Sequence, residues 1–160
     1  MGLVAKGKAM SSNNDLIKLY SARILALTTD IPHLNRLENP DATVKRRAPL
    51  CGSTVTVDVA FRDGHVTGYG QEVKACALGQ AAASVVGTNI IGCTQAQIVG
   101  ARDALKAMLQ HDGPTPPAPF GDLEVLRPAQ DYKNRHASIL LTLDATVDAL
   151  DEINASSSCA

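Results

Sequence analysis

The stretch from Thr54 to Phe61 constrains this chain most. Val55, Val57, Val59 and Phe61 alternate with Thr54, Thr56, Asp58 and Ala60. A period of two places the apolar set on one face of a strand and the other set on the opposite face. Asp63-Gly64 follows with the chemistry of a tight hairpin turn, and Val66 to Tyr69 returns. Thr43 to Leu50 reads as a preceding strand, and Gln71 to Ala75 as a further strand segment. Helical patterns flank this region on both sides. The expected class is therefore α+β, a small antiparallel three-stranded sheet with helices packed on one face.

The spacing predicts a first helix from Asn13 to about Thr28, on Leu16, Ile17, Tyr20, Ile24 and Leu27, with Ser12, Asn13 or Asn14 as its cap. Pro32 and Pro40 then punctuate a connection. From Cys76 onward, Ala77, Leu78, Ala81, Ala82 and Val85 repeat at helical spacing, with small residues that permit close packing; Gly87 and Gly92 end the run. Thr94 and Gln97 match a capping box ahead of Ile98, Ala101, Leu105, Met108 and Leu109. His111 to Gly121 holds four prolines and reads as a stiff loop. Asp122 to Leu126 suits one helical turn, and His136 to Ile153 a final amphipathic helix.

A chain of 160 residues with 45% hydrophobic and 19% charged residues suits one globular core. The expected division is a flexible leader at 1–12, a single domain at 13–153 and a flexible tail at 154–160. The net charge of −1 removes the main electrostatic argument for nucleic acid as a partner. Lys45-Arg46-Arg47 is a short basic run that reads as a solvated strand end. No apolar stretch reaches the ~20 residues that span a bilayer, so no membrane is expected. The opening residues do not read as a signal peptide, and Lys6 spoils a myristoylation pattern. A cytoplasmic location follows as the expectation. There the four cysteines, Cys51, Cys76, Cys93 and Cys159, are ligands, nucleophiles or buried thiols rather than disulfides.

Two of those thiols stand out. Cys51 lies between Pro49 and Gly52, where a ligand can approach closely; a small buried hydrophobe is the bland alternative. Cys76 falls at a predicted helix start, where free N–H groups and the helix dipole favour the thiolate that binds metal or attacks. His136 opens the last predicted helix. Two thiolates and one imidazole suffice for zinc or iron if the fold joins them. Cys93 reads as structural, and Cys159 as a tail thiol. No Gly-x-Ser-x-Gly elbow exposes Ser84 or Ser138 as a nucleophile.

At these residues the chain resembles the U-type iron–sulfur cluster assembly scaffold family (IscU, SufU and the N-terminal domain of NifU). The resemblance rests on Leu19-Tyr20-Ser21, Asn39-Pro40, Ala48-Pro49-Leu50-Cys51-Gly52, Ala75-Cys76-Ala77 with Ala81 to Ser84, and His136-Ala137-Ser138-Ile139-Leu140. It runs from about Leu16 to Leu150. The long interval between Cys76 and His136 resembles the insertion of the SufU branch. The Leu-Pro-Pro-Val-Lys chaperone motif is absent, so that partnership is not implied.

The resemblance implies three cysteines and an aspartate as ligands. Cys51 and Cys76 match two of them, while Ser53 stands at the aspartate position and Ala137 at the third cysteine. The implied ligand set is Cys51, Cys76 and His136, with Ser53 a poor fourth donor. The implied cofactor is zinc, iron or an iron–sulfur cluster. Cys51 is the implied persulfide acceptor, a cysteine desulfurase the implied sulfur donor, and apo iron–sulfur proteins the implied receivers. A scaffold or carrier is expected rather than an enzyme. The alternatives are a zinc-dependent sulfurtransferase of the SufU type and a degenerate paralogue that acts as a binding module.

Overall fold

The computed structural model of the chain describes residues 20–159. The expected leader, the caps at Ser12 to Asn14 and the residues Leu16 and Ile17 lie outside the described residues. Helix α1 spans Ala22–Thr28, and the Ser21 hydroxyl accepts the Ile24 N–H at its start (3.3 Å). That local cap sets a helix boundary where the periodicity predicted a continuous run. Tyr20 therefore sits in a turn instead of on a buried helix face.

Strands β1 (Ala42–Arg47), β2 (Thr54–Arg62) and β3 (His65–Lys74) form one antiparallel sheet in that order. Asp63 and Gly64 both take left-handed φ (54° and 80°), which is the geometry of a two-residue hairpin turn. The return is one continuous strand, with an irregularity opposite Ala60 and Phe61, in place of two segments. Val55, Val57, Val59 and Tyr69 are buried on the inner face.

On the outer face Asp58 is fully buried, because the connection after α1 lies over it. Its carboxylate accepts from Arg36 Nε (2.6 Å) and Nη2 (3.0 Å), Leu37 N (3.0 Å) and Thr43 Oγ1 (2.6 Å). Gly70, its partner in register, leaves room for the same connection: a Cβ there would come within 2.5 Å of the Asn35 carbonyl oxygen.

Helix α2 (Ala77–Asn89) is the small-residue run, and it buries Leu78, Ala81, Ala82, Val85 and Val86. Helix α3 (Gln95–His111) begins with both halves of the predicted capping box, Thr94 and Gln97. After the proline loop, a 3-10 stretch covers Gly121–Asp131, longer than the single expected turn and interrupted by no full α-helical turn around Pro128. Helix α4 spans Lys133–Cys159, beyond the predicted His136 to Ile153 at both ends; residues expected as a tail continue it. This helix lies across β1 and β2 and packs against α2 and α3, so the helices do occupy one face of the sheet. Ile139, Leu143 and Leu150 carry its buried side.

Candidate functional site

Three segments meet at one end of the sheet. The loop after β1 is closed by two backbone hydrogen bonds, Ala48 N to Ser53 O (2.8 Å) and Gly52 N to Ala48 O (3.0 Å). Gly52 takes φ +72°, which favours glycine and turns the chain tightly enough to present Cys51 outward and Ser53 inward. Leu50, at the tip, is 78% exposed. Cys76 is the N-cap residue of α2, extended in backbone and half-buried. Ser138 projects from α4 and is buried, as is Ser53.

The side chains of these segments form a continuous chain of contacts. Cys51 Sγ lies 3.2 Å from Ser53 Oγ; Ser138 Oγ donates to Ser53 Oγ across 3.0 Å; Cys76 Sγ lies 3.5 Å from Ser138 Oγ. Each hydroxyl has one proton. With the Ser138 proton given to Ser53, Cys76 donates to Ser138, and the Ser53 proton is left available to Cys51. The Cys51 thiolate, having no proton, can only accept that bond. Consistently, the Ser53 hydroxyl holds the Cys51 thiol below its ordinary range; partial burial opposes this, and the Ser53 backbone, Ser138 and the Arg135 charge reinforce it.

The helix contact that makes this possible runs through Gly79. A Cβ at Gly79 would come within 2.6 Å of Ser138 Oγ and 2.9 Å of Ala75 Cβ. Only a residue without a side chain lets α2 approach α4 closely enough for Cys76 to touch Ser138.

His136 is placed differently. Its ring is buried, and Nε2 donates to the Ala129 carbonyl (2.9 Å), which leaves Nδ1 as the bare nitrogen. Successive helix residues turn by about 100°. His136 and Ala137 accordingly line a cleft of about 570 Å³ with Lys106, Lys133 and Asp144, while Ser138 faces the thiols. Among the described residues no group of three or more His, Cys, Asp or Glu side chains is arranged to hold a metal ion. The structure thus brings Cys51, Ser53 and Cys76 together through Ser138 and ties the His136 ring elsewhere.

Cys93 is buried and donates to the Asn89 carbonyl (3.1 Å), and burial pushes its thiol up, as suits a structural cysteine. Cys159 ends α4, and its side chain lies outside those described. Among the described residues no helix is long and apolar enough to cross a membrane.

Comparison with protein-family models gave no match, and neither did comparison with curated proteins. Solved structures did match. The N-terminal part of a nitrogen-fixing NifU-like protein from Brucella abortus is 45% identical, with a TM-score of 0.86 over 88% of this chain and 97% of that one. The chain belongs to the U-type scaffold family. Two more distant structures share the U-type fold, each with a TM-score of 0.75 over 84% of this chain and 98% of theirs. One is named as an iron–sulfur cluster assembly scaffold protein for the SUF system of Fervidobacterium islandicum AW-1 and is 21% identical. The other is described only as a hypothetical protein and is 19% identical.

As a U-type site this one is short of donors. Two thiols remain, with hydroxyls at Ser53 and Ser138 and no carboxylate or imidazole in the contact chain. That set does not fit a four-ligand zinc centre built from this chain alone. It does fit two-point anchoring of a soft metal or sulfur cargo. Sequence reasoning treated Ser138 only as an improbable nucleophile. The signal available was a lone hydroxyl beside the apolar run Ile139-Leu140-Leu141: a buried polar group there needs a partner.

Proposed function

We propose that this chain is an iron–sulfur cluster assembly scaffold whose working groups are Cys51 and Cys76. The observation that carries this reading is the unbroken contact chain Cys51–Ser53–Ser138–Cys76, on a fold shared with proteins named as such scaffolds. Cys51 is the sulfur acceptor. It is exposed, it sits at a loop tip, and its neighbours favour the thiolate. In the proposed step the Cys51 thiolate attacks the terminal sulfur of a persulfide on a cysteine desulfurase. One S–S bond forms and one breaks, the donor cysteine leaves as thiolate, and no net oxidation occurs. Cys76 is the second anchor for iron or a nascent cluster, which an apo iron–sulfur protein then takes up. His136 could offer a metal only its Nδ1, because Nε2 donates to the Ala129 carbonyl.

The test is anaerobic loading with a cysteine desulfurase and cysteine, read by intact mass, followed by iron binding. Wild type gains sulfur, Cys51→Ala does not, and Cys76→Ala gains sulfur but holds less iron. Equal sulfur on wild type and Cys51→Ala overturns the reading.

A second reading is favoured by Ser53 and Ala137 at expected ligand positions: a binding module that engages a desulfurase without carrying metal. It predicts desulfurase capture by wild type and by both cysteine variants alike. The zinc-dependent sulfurtransferase reading requires zinc at rest in wild type and its loss in Cys51→Ala and Cys76→Ala.

A further inference from the structure

We propose that Ser138 is a positioning residue that makes Cys51 and Cys76 one dithiol site rather than two independent thiols. The proposal rests on the reading above in taking these two thiols as the working pair.

The two cysteines come from elements that have no covalent reason to converge. Cys51 rides a loop between strands, and Cys76 heads α2. Ser138 belongs to a third element, α4, and its oxygen contacts both routes: Ser53 Oγ at 3.0 Å on one side and Cys76 Sγ at 3.5 Å on the other. It is 1% exposed, so water does not compete for those bonds. Its place is enforced from behind by Gly79, where any Cβ would collide with it. Ser53, 5% exposed, carries the link onward to Cys51 at 3.2 Å. Remove the Ser138 oxygen and Ser53 loses its donor while Cys76 loses its only side-chain partner in the cluster. The Cys51 loop, otherwise held by two backbone bonds, is then free to take other arrangements. A two-point ligand needs both sulfurs at a fixed separation, so loss of that order weakens bidentate capture specifically.

A trivalent arsenical, phenylarsine oxide, reads this directly on the metal-free protein. It condenses with two thiols, forming two As–S bonds and releasing water, so tight capture requires both sulfurs in reach. We expect one arsenical per wild-type chain, lost in Cys51→Ala and in Cys76→Ala. We expect Ser138→Ala to weaken capture about tenfold, the scale of one well-placed hydrogen bond. Ser53→Ala, on a loop where folding is not at stake, is expected to do the same. Both serine variants are expected to be alkylated to completion by iodoacetamide at each thiol, more slowly at Cys51 where the thiolate is less favoured, since that reaction needs only one sulfur at a time. Wild-type capture by both serine variants overturns the proposal. So does failure of wild type to capture the arsenical through both cysteines. Because no desulfurase or iron takes part, failed sulfur loading with intact arsenical capture counts against the scaffold reading alone.

Discussion

Ser138 on α4 donates a hydrogen bond to Ser53 in the loop after β1 across 3.0 Å, and a thiol lies against each hydroxyl. A pair of serines thus occupies the space between the two cysteines. The family resemblance implies an aspartate at the Ser53 position, so serine there puts a neutral donor in place of a charged one. What the site holds is two thiols with a hydrogen-bonded backing.

The alkylation rate of Cys51 is expected to rise with pH through a midpoint below that of an ordinary thiol. The sign follows from Ser53: a hydroxyl that donates to the sulfur favours the thiolate, so the proton leaves at lower pH. Ser53→Ala moves the midpoint upward. Mass-resolved labelling with iodoacetamide across pH, on the Cys76→Ala background, measures it.

Gly79→Ala is expected to destabilise the fold by about 1–3 kcal/mol, the usual cost of overpacking a closed contact. The new methyl meets Ser138 Oγ on buried α4 at 2.6 Å and Ala75 Cβ in the short link between β3 and α2 at 2.9 Å. A shift of the urea midpoint reports it. Gly100→Ala serves as control, since nothing lies within 4 Å of its Cβ position.

Asp58→Ala is expected to cost about 3 kcal/mol, at the low end for breaking a buried pair because Arg36 reaches solvent. Burial pushes the Asp58 carboxyl up, and the bonds from Arg36, Thr43 and Leu37 more than reverse it, so the folded value lies below the ordinary one. A lowered folded value means stability that is present above the unfolded value near 4 and is lost as pH falls through the folded value. Wild type therefore loses stability in acid below about pH 4, and Asp58→Asn flattens that loss. Thermal melts between neutral and acid pH give the comparison.

Ser53→Asp is expected to lower the melting temperature of metal-free protein and to raise it above wild type with excess zinc. A new carboxylate at this buried position loses its hydration, so the apo state pays for desolvation. On the proposed reading an ion held by Cys51 would lie within reach of the new carboxylate, and binding to the folded state adds stability. An unchanged response to zinc counts against Cys51 as a metal anchor.

Local signals read well from the sequence, and tertiary ones did not. The β2–β3 hairpin was legible because period-two alternation and Asp63-Gly64 act within a few residues. The Thr94–Gln97 box was legible for the same reason, as was Cys76 at a helix start. The 3-10 stretch was shortened in the reading because Pro128 disrupts any α-helical pattern there. Two placements depend on distant partners and left little trace. Ser53 and Ser138 are 85 positions apart, so neither predicts the other. His136 is oriented by the carbonyl of Ala129, which the 3-10 stretch presents, and no spacing of ligand residue types encodes a backbone acceptor.

Leu50 has its own bearing on how the site is used. A bare leucine stands in water immediately beside Cys51. Any protein surface that shelters Leu50 also strips solvent from Cys51, so on the proposed reading recognition and activation become a single event, with the thiolate least shielded by hydration when a donor is in place.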